Sequence, residues 1–343
     1  MIKDILQEGF VLKSKGYYKH SIELFYKALE LDNSSVELLY EIAENYYLMR
    51  DEERALSYLE QVLDVEPLHI DSMKLLKKIF RDKKSLENAL QIAENIYKLT
   101  NSNSDLLEIL SILNCLNRYN EVLGFQTDCQ EEGILYEICY ANLFLGNLDI
   151  ASEISDKLLN FEKSNKNLLL KGKILYKKNQ IDECLNIVEQ FDIEELDSDM
   201  LNFIGLIYQQ KQEFKKALNM FKKAIIADDL KDEYYYNCAS TYFKMGEVQE
   251  AKRYYNLAIL KNPDNQAYRL ALANLLYSEK HYKRALEELT GDFFEARLLK
   301  MIILYDSGYL SLAKKANEEL FKESSKNELV LAYKAKIEKD LQA

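Results

Sequence analysis

Residues 232–265 read DEYYYNCASTYFKMGEVQEAKRYYNLAILKNPDN, and the fold is decided there. Ala239 and Tyr242 fall on one amphipathic stretch, Gly246 in a short break, and Ala251, Tyr255 and Ala258 on a second stretch, with Pro263 behind it. Apolar residues at helical spacing on both sides of a glycine predict two short helices joined by a tight turn. Proline removes a donor that a helix interior needs, so Pro263 stops the chain. Small residues at Ala239 and Ala251 let two backbones approach closely, and a large residue one turn later fills the gap beside them.

The same pattern extends outward in register. The small residue of the first helix is followed as Gly9, Ala43, Lys77, Cys139, Gly172, Gly205, Ala239 and Ala273. Consecutive members lie 34 or 33 residues apart, apart from the wider step between Lys77 and Cys139. The matching residue of the second helix runs Ser21, Ala55, Ala89, Val122, Ala151, Cys184, Ala217, Ala251, Ala285 and Ala313. Large apolar residues follow four later at Phe25, Leu59, Val188, Phe221, Tyr255 and Leu289, and Ala28, Val62, Ile96, Ala224 and Ala258 follow three after those. Both prolines, Pro67 and Pro263, hold the same place in the period.

These residues resemble the tetratricopeptide repeat, a helix–turn–helix unit of 34 residues with small residues where its helices cross and proline at its end. The resemblance covers nearly the whole chain, with units four, six and ten departing most. It implies an all-α fold, a right-handed α-solenoid superhelix of about ten helix–turn–helix units, in which each helix pair buries the apolar face its neighbour leaves open.

Two intervals are short. Val122 to Ala151 spans 29 residues and Ala285 to Ala313 spans 28, so about one helical turn is missing from each second helix. The first shortening meets Gly124, Thr127, Asp128 and Gly133. It sets the expected boundary between an N-terminal array of about four repeats over residues 1–130 and a C-terminal array of about six over 131–325. Residues 326–343 are expected to form a capping helix, with Leu329, Val330, Tyr333 and Ile337 on one apolar stripe.

Composition narrows the function. The 343 residues include two prolines and ten glycines, little punctuation for strands and hairpins. The 48% hydrophobic content excludes general disorder. A net charge of −12 opposes binding to nucleic acid or to an anionic membrane and suits a basic partner. No stretch reaches the ~20 apolar residues of a membrane span. Asp4 and Glu8 interrupt the N-terminus where a signal peptide needs an apolar run, so a cytoplasmic location is expected. Cys115, Cys129, Cys139, Cys184 and Cys238 show no paired close spacing and read as small hydrophobes in a reducing compartment. The Lys/Asn/Ile-rich, proline-poor composition points to a bacterium with an AT-rich genome.

The resemblance implies a concave groove lined by the first helix of each pair. Its aromatic positions here are Tyr40, Tyr47, Tyr136, Tyr140, Tyr176, Tyr236, Phe243, Tyr277 and Tyr305. Its polar positions include Glu37, Glu41, Glu44, Lys74, Lys78, Arg81, Lys173, Asn202, Gln209, Asn237, Asn274 and Asp306. Of these, the nine aromatic residues with Asn202, Asn237 and Asn274 are the expected partner-binding set. Tyrosine offers a large apolar area and a polar tip at low rotamer cost. Tyr46, Tyr208, Tyr242 and Tyr255 are expected instead to pack between helices. The Lys/Asn clamp with which some family members grip a chaperone tail is not met: its positions hold Leu6, Phe10, Glu41, Asp71 and Leu75 in the first three units, and only Asn202 and Asn237 fit in units seven to nine.

No P-loop, Gly-rich dinucleotide turn, HExxH or nucleophile elbow occurs. His20, His69 and His281 sit in three distant units near turns or ends. No catalytic residue, cofactor or metal site is expected. The leading reading is a non-catalytic scaffold holding a protein or peptide partner in the groove. The alternative is a sensor for a short peptide or small ligand whose binding changes the coil's pitch, hinged near Gly124 and Gly291.

Overall fold

The structure, a computed structural model, describes residues 2–31, 35–125, 129–191 and 195–342. Thr127 and Asp128 lie outside the described residues. The described chain is helical hairpins, with no strand. It divides into two compact units, residues 1–163 and 164–343.

The first unit pairs α1 (Ile2–Ser14) with α2 (Tyr18–Leu29), and α3 (Val36–Leu48) with α4 (Glu52–Val65). It continues with α5 (Ile70–Asp82) and α6 (Leu86–Thr100), α7 (Asn103–Cys115) and α8 (Tyr119–Gly124), and α9 (Glu132–Leu145) and α10 (Leu148–Phe161). The second pairs α11 (Asn165–Lys177) with α12 (Ile181–Val188), and α13 (Ser198–Gln210) with α14 (Phe214–Ala227). Then come α15 (Asp232–Lys244) and α16 (Val248–Lys261), α17 (Gln266–Ser278) and α18 (Tyr282–Glu288), α19 (Phe294–Asp306) and α20 (Leu310–Glu323), and the single α21 (Glu328–Asp340). The boundary expected at residue 130 falls inside the first unit, where α7 packs directly on α9 past the short α8.

Every hairpin turns through one left-handed residue. These are Gly16, Arg50, Lys84, Asn117, Gly146, Asn179, Gln212, Gly246, Lys280 and Gly308, all at positive φ. In each turn the next residue's N–H returns to a carbonyl of the first helix, as Glu247 N does to Tyr242 O at 2.9 Å and His281 N to Leu276 O at 2.9 Å. That bond satisfies a carbonyl the helix end would otherwise leave open.

The crossings fall where the small residues predict. Ser21, Ala55, Ala89, Val122, Ala151, Cys184, Ala217, Ala251, Ala285 and Ala313 are all wholly buried. Their partners lie twelve positions earlier, which adds Leu110 and Met301, both wholly buried, to the first-helix series. Backbones come close enough for side chains to bond across: Ser21 Oγ donates to Gly9 O at 2.9 Å and Cys139 Sγ to Ala151 O at 3.2 Å. The Phe221 ring lies where a Cβ on Gly205 would sit, 2.5 Å from that position, so the glycine makes room for the phenyl. At the α5 crossing Lys77 runs its stem through the buried slot and pairs its ammonium with Glu108 of α7.

Three second helices are short: α8 and α18, as the intervals predict, and also α12, with eight residues. The Cys184–Ala217 interval is nevertheless a normal 33, because α13 begins only at Ser198. Across these gaps first helices meet directly, α7 on α9, α11 on α13 and α17 on α19. In α21, Val330 and Ile337 are buried against α19 and α20, while Leu329, expected on the same stripe, is exposed. No helix among the described residues is long and apolar enough to cross a membrane.

Candidate partner-binding face

The site builds from one position: the residue four after each first-helix crossing. At seven of these positions its side chain reaches the next first helix, or α21, whatever its chemistry. Lys13 pairs with Glu41 and Glu44. Tyr47 donates to Asp82 at 2.7 Å, and Arg81 Nη1 to Glu108 at 3.0 Å. Asn114 Nδ2 donates to Glu137 Oε2 at 2.7 Å, and Gln209 Nε2 to Thr241 at 2.7 Å. Tyr277 donates to Asp306, and Tyr305 to Asp340 at 2.5 Å. These clasps tie successive hairpins along the face carried by the first helices.

The clasps leave an electrostatic mark. Burial alone would lower the Lys13 ammonium, but the bonds to Glu41 and Glu44 outweigh it and hold it above the usual range. The bond to Asp82, with burial, raises the Tyr47 phenol, because an ionised phenolate would face a carboxylate. Burial and the bond to Asp306 raise Tyr277, and the bond to Asp340 raises Tyr305.

In the first unit, Tyr40 is half-buried with its ring 5.6 Å from His69. Burial, then the carboxylates of Glu44, Asp71 and Glu41, push its phenol up to about 12. Tyr47 is buried, with the Lys78 ammonium 5.1 Å from its ring centre. Tyr136 and Tyr140 are half-buried, and Tyr140 joins Tyr119 and Phe144 in an aromatic trio at 4.6–6.4 Å. Phe144, 45% exposed, was absent from the expected set. Its place one residue beyond the clasp position signals it only once the register is known.

In the second unit, Tyr176 is half-buried edge-on to Phe203 at 6.1 Å. Tyr236 is half-buried and stacks on Tyr268 at 5.0 Å. Tyr277 and Tyr305 are half-buried, while Phe243 and Asn274 are exposed. Asn202 and Asn237 are placed differently from a free recognition pair. Both are buried, Asn237 Nδ2 donates to Asn202 Oδ1 at 2.8 Å, and Asn202 Nδ2 donates to Glu233 at 3.1 Å. They join α13 to α15. Of the tyrosines expected between helices, Tyr46 and Tyr255 are buried, and Tyr242 stacks on Tyr254 at 5.4 Å.

Burial pushes the Cys184 thiol up to about 11 and the Cys238 thiol up to about 12, which keeps both protonated and unreactive at neutral pH. His69 caps α5, its Nδ1 accepting from Ser72 N at 3.2 Å. No group of three His, Cys, Asp or Glu among the described residues is arranged to hold a metal ion.

Residues 6–35, 37–69 and 208–275 each match a tetratricopeptide repeat model. The chain is a tetratricopeptide repeat protein. Among curated proteins it is similar to the BBSome complex member BBS4 of Bos taurus, 25% identical over 293 residues, covering 84% of this chain and 50% of that protein. It is also similar to the BBSome complex member BBS4 homologue of Drosophila melanogaster, 24% identical over 202 residues, covering 56% of this chain and 34% of that one. The chain thus spans half or less of the length of these relatives. Among solved structures, a chain of the APC/C hetero-tetramer Cut9–Hcn1 matches with TM-score 0.60 and 12% identity, covering 97% of this chain and 75% of that chain. That likeness concerns the fold alone.

Proposed function

We propose that this protein is a non-catalytic scaffold that binds a protein partner against the face of its first helices. The observation carrying this reading is the row of part-exposed aromatic rings on α15, α17 and α19: Tyr236, Phe243, Tyr277 and Tyr305, with the exposed amide of Asn274 among them. Clasps and stacking fix Tyr236, Tyr277 and Tyr305 in place before any partner arrives, so little side-chain freedom is lost on binding. The hydroxyls of Tyr277 and Tyr305 are already committed, so these residues offer ring surface while Asn274 offers hydrogen bonds. The names of the curated relatives refer to a multi-protein assembly, the BBSome complex, which supports a place for this chain in an assembly. Buried, protonated thiols at Cys184 and Cys238 suit a reducing compartment such as the cytoplasm. The alternative, a sensor acting by a change of pitch, loses its motive near Gly124, where α7 packs directly on α9, and keeps it near Gly291, where the contact of α17 and α18 with α19 is thin.

The test is affinity capture from cells of the source organism with identification by mass spectrometry, repeated with Phe243→Ala/Asn274→Ala. Both sites are exposed, so helicity and melting should hold while recovery of the partner falls about tenfold. Undiminished capture by the double variant removes the face from consideration.

A further inference from the structure

We infer that the cleft between α5 and α7 is a docking site for an acidic peptide segment of a partner. The inference rests on the scaffold reading and names the chemistry of one of its partners. Lys74, Lys77, Lys78 and Arg81 follow one another at three, one and three residues, which places all four on one side of α5. They line a cleft of about 550 Å³ with Ser104 and Glu108 of α7. Glu108 is shared, its two oxygens serving Lys77 and Arg81, so one carboxylate answers two cations. The other carboxylates at the cleft are engaged: Asp82 accepts from Tyr47 at 2.7 Å and Asp105 from Thr100 at 2.6 Å. Lys74 and Lys78 are exposed and form no ion pair among the described residues, Lys78 resting over the Tyr47 ring.

The result is a local positive spot on a chain of net charge −12. The preceding first helix, α3, carries the opposite sign at Glu41 and Glu44, which Lys13 already holds. A long polyphosphate entering the cleft would have to run across that acidic neighbour and the negative remainder of the chain. A peptide with a few Asp or Glu side chains matches the spot without doing so. Its carboxylates would bridge Lys74 and Lys78, and a third would share Arg81 with Glu108. These positions differ from the Lys/Asn clamp that the sequence fails to meet, whose places on α5 hold Asp71 and Leu75.

The experiment measures fluorescence anisotropy of the full chain with a labelled peptide of alternating Glu and Gly, beside Lys/Gly and Ser/Gly peptides and a single-stranded RNA oligonucleotide. The Glu/Gly peptide should bind at least about tenfold tighter than the others and weaken as salt rises. Lys74→Glu/Lys78→Glu should remove that binding. Lys283→Glu/Lys314→Glu, an equal charge change on exposed sites of the second unit, should leave most of it. Equal binding of the Ser/Gly peptide or the RNA overturns the inference, as does equal loss in both double variants. If a cellular partner is captured by the unaltered chain while the Glu/Gly peptide fails to bind that same chain, the cleft assignment falls and the scaffold reading stands.

Discussion

Set the α15–α16 hairpin beside the α7–α8 hairpin. In the first, Ala239 meets Ala251, Gly246 makes the turn, and both helices run their full 13 and 14 residues. In the second, Leu110 meets Val122, Asn117 makes the turn, and α8 ends after six residues. It is tempting to blame the bulky crossing for the short helix. Two other hairpins separate the effects. At α19–α20 the crossing holds Met301, yet α20 has 14 residues. At α17–α18 it holds Ala273 and Ala285, yet α18 has seven. Crossing bulk and second-helix length therefore vary independently. What all four share is the left-handed turn and a first helix packed on its neighbours. The first helix buries a similar share whatever the length of the second: α7, beside the short α8, buries Leu106, Ile109, Leu110, Ile112 and Leu113, and α3, beside the full-length α4, buries Leu38, Leu39, Ile42, Tyr46 and Tyr47.

The comparison breaks most sharply at its tightest crossing. Ala251→Asp places an unpaired carboxylate at a site with no exposed surface and should cost about 3–5 kcal/mol in urea denaturation. A near-neutral effect would mean that close approach is not what the alanines provide. On the other side of the comparison, Leu110→Ala should cost about 3 kcal/mol by opening a cavity where bulk, not closeness, fills the crossing. A loss under about 1 kcal/mol would show that α7 relaxes into the space.

Alkaline pH sharpens the contrast from the side of α15. Burial, with the bond to Asp199, pushes the Tyr234 phenol up to about 12, and burial pushes Cys238 up to about 12. Both groups hold their protons more tightly when folded. Their stabilisation is complete below pH 9, the ordinary thiol value, and drains as pH climbs through 10 toward 12. The urea midpoint should fall over that window, and Tyr234→Phe should make the fall shallower. An unchanged slope would exclude Tyr234. The smallest effect lies in the turns. Lys280→Gly, at φ 61°, should stabilise by about 0.5–1 kcal/mol, and Asn117→Gly, at φ 58°, by less, since asparagine tolerates the left-handed region better.

The fold was legible because alanine and glycine at a crossing leave a periodic trace. Lys77 could be placed only by counting from Ala43, and Leu110 and Met301 hid because nothing in a large residue announces a crossing. The short α12 escaped notice since the interval from Cys184 to Ala217 is still 33 residues. The candidate face was legible only in part. Position on the helix predicted which side Tyr236 and Tyr277 occupy. It did not reveal that Asn202 bonds Asn237, or that the hydroxyls of Tyr277 and Tyr305 reach into the following hairpin. The clasp position holds Lys13, Tyr47, Arg81, Asn114, Gln209, Tyr277 and Tyr305, and no shared residue type marks it in the sequence.

The cysteines carry a practical corollary. Cys139, Cys184 and Cys238 are shut inside helix contacts, whereas Cys115 is exposed and Cys129 half-exposed. An alkylating dye at neutral pH should modify Cys115 first and Cys129 next, both in the first unit. Native protein can thus be tagged on one unit alone without engineering, and late labelling of Cys184 or Cys238 would time the opening of the other.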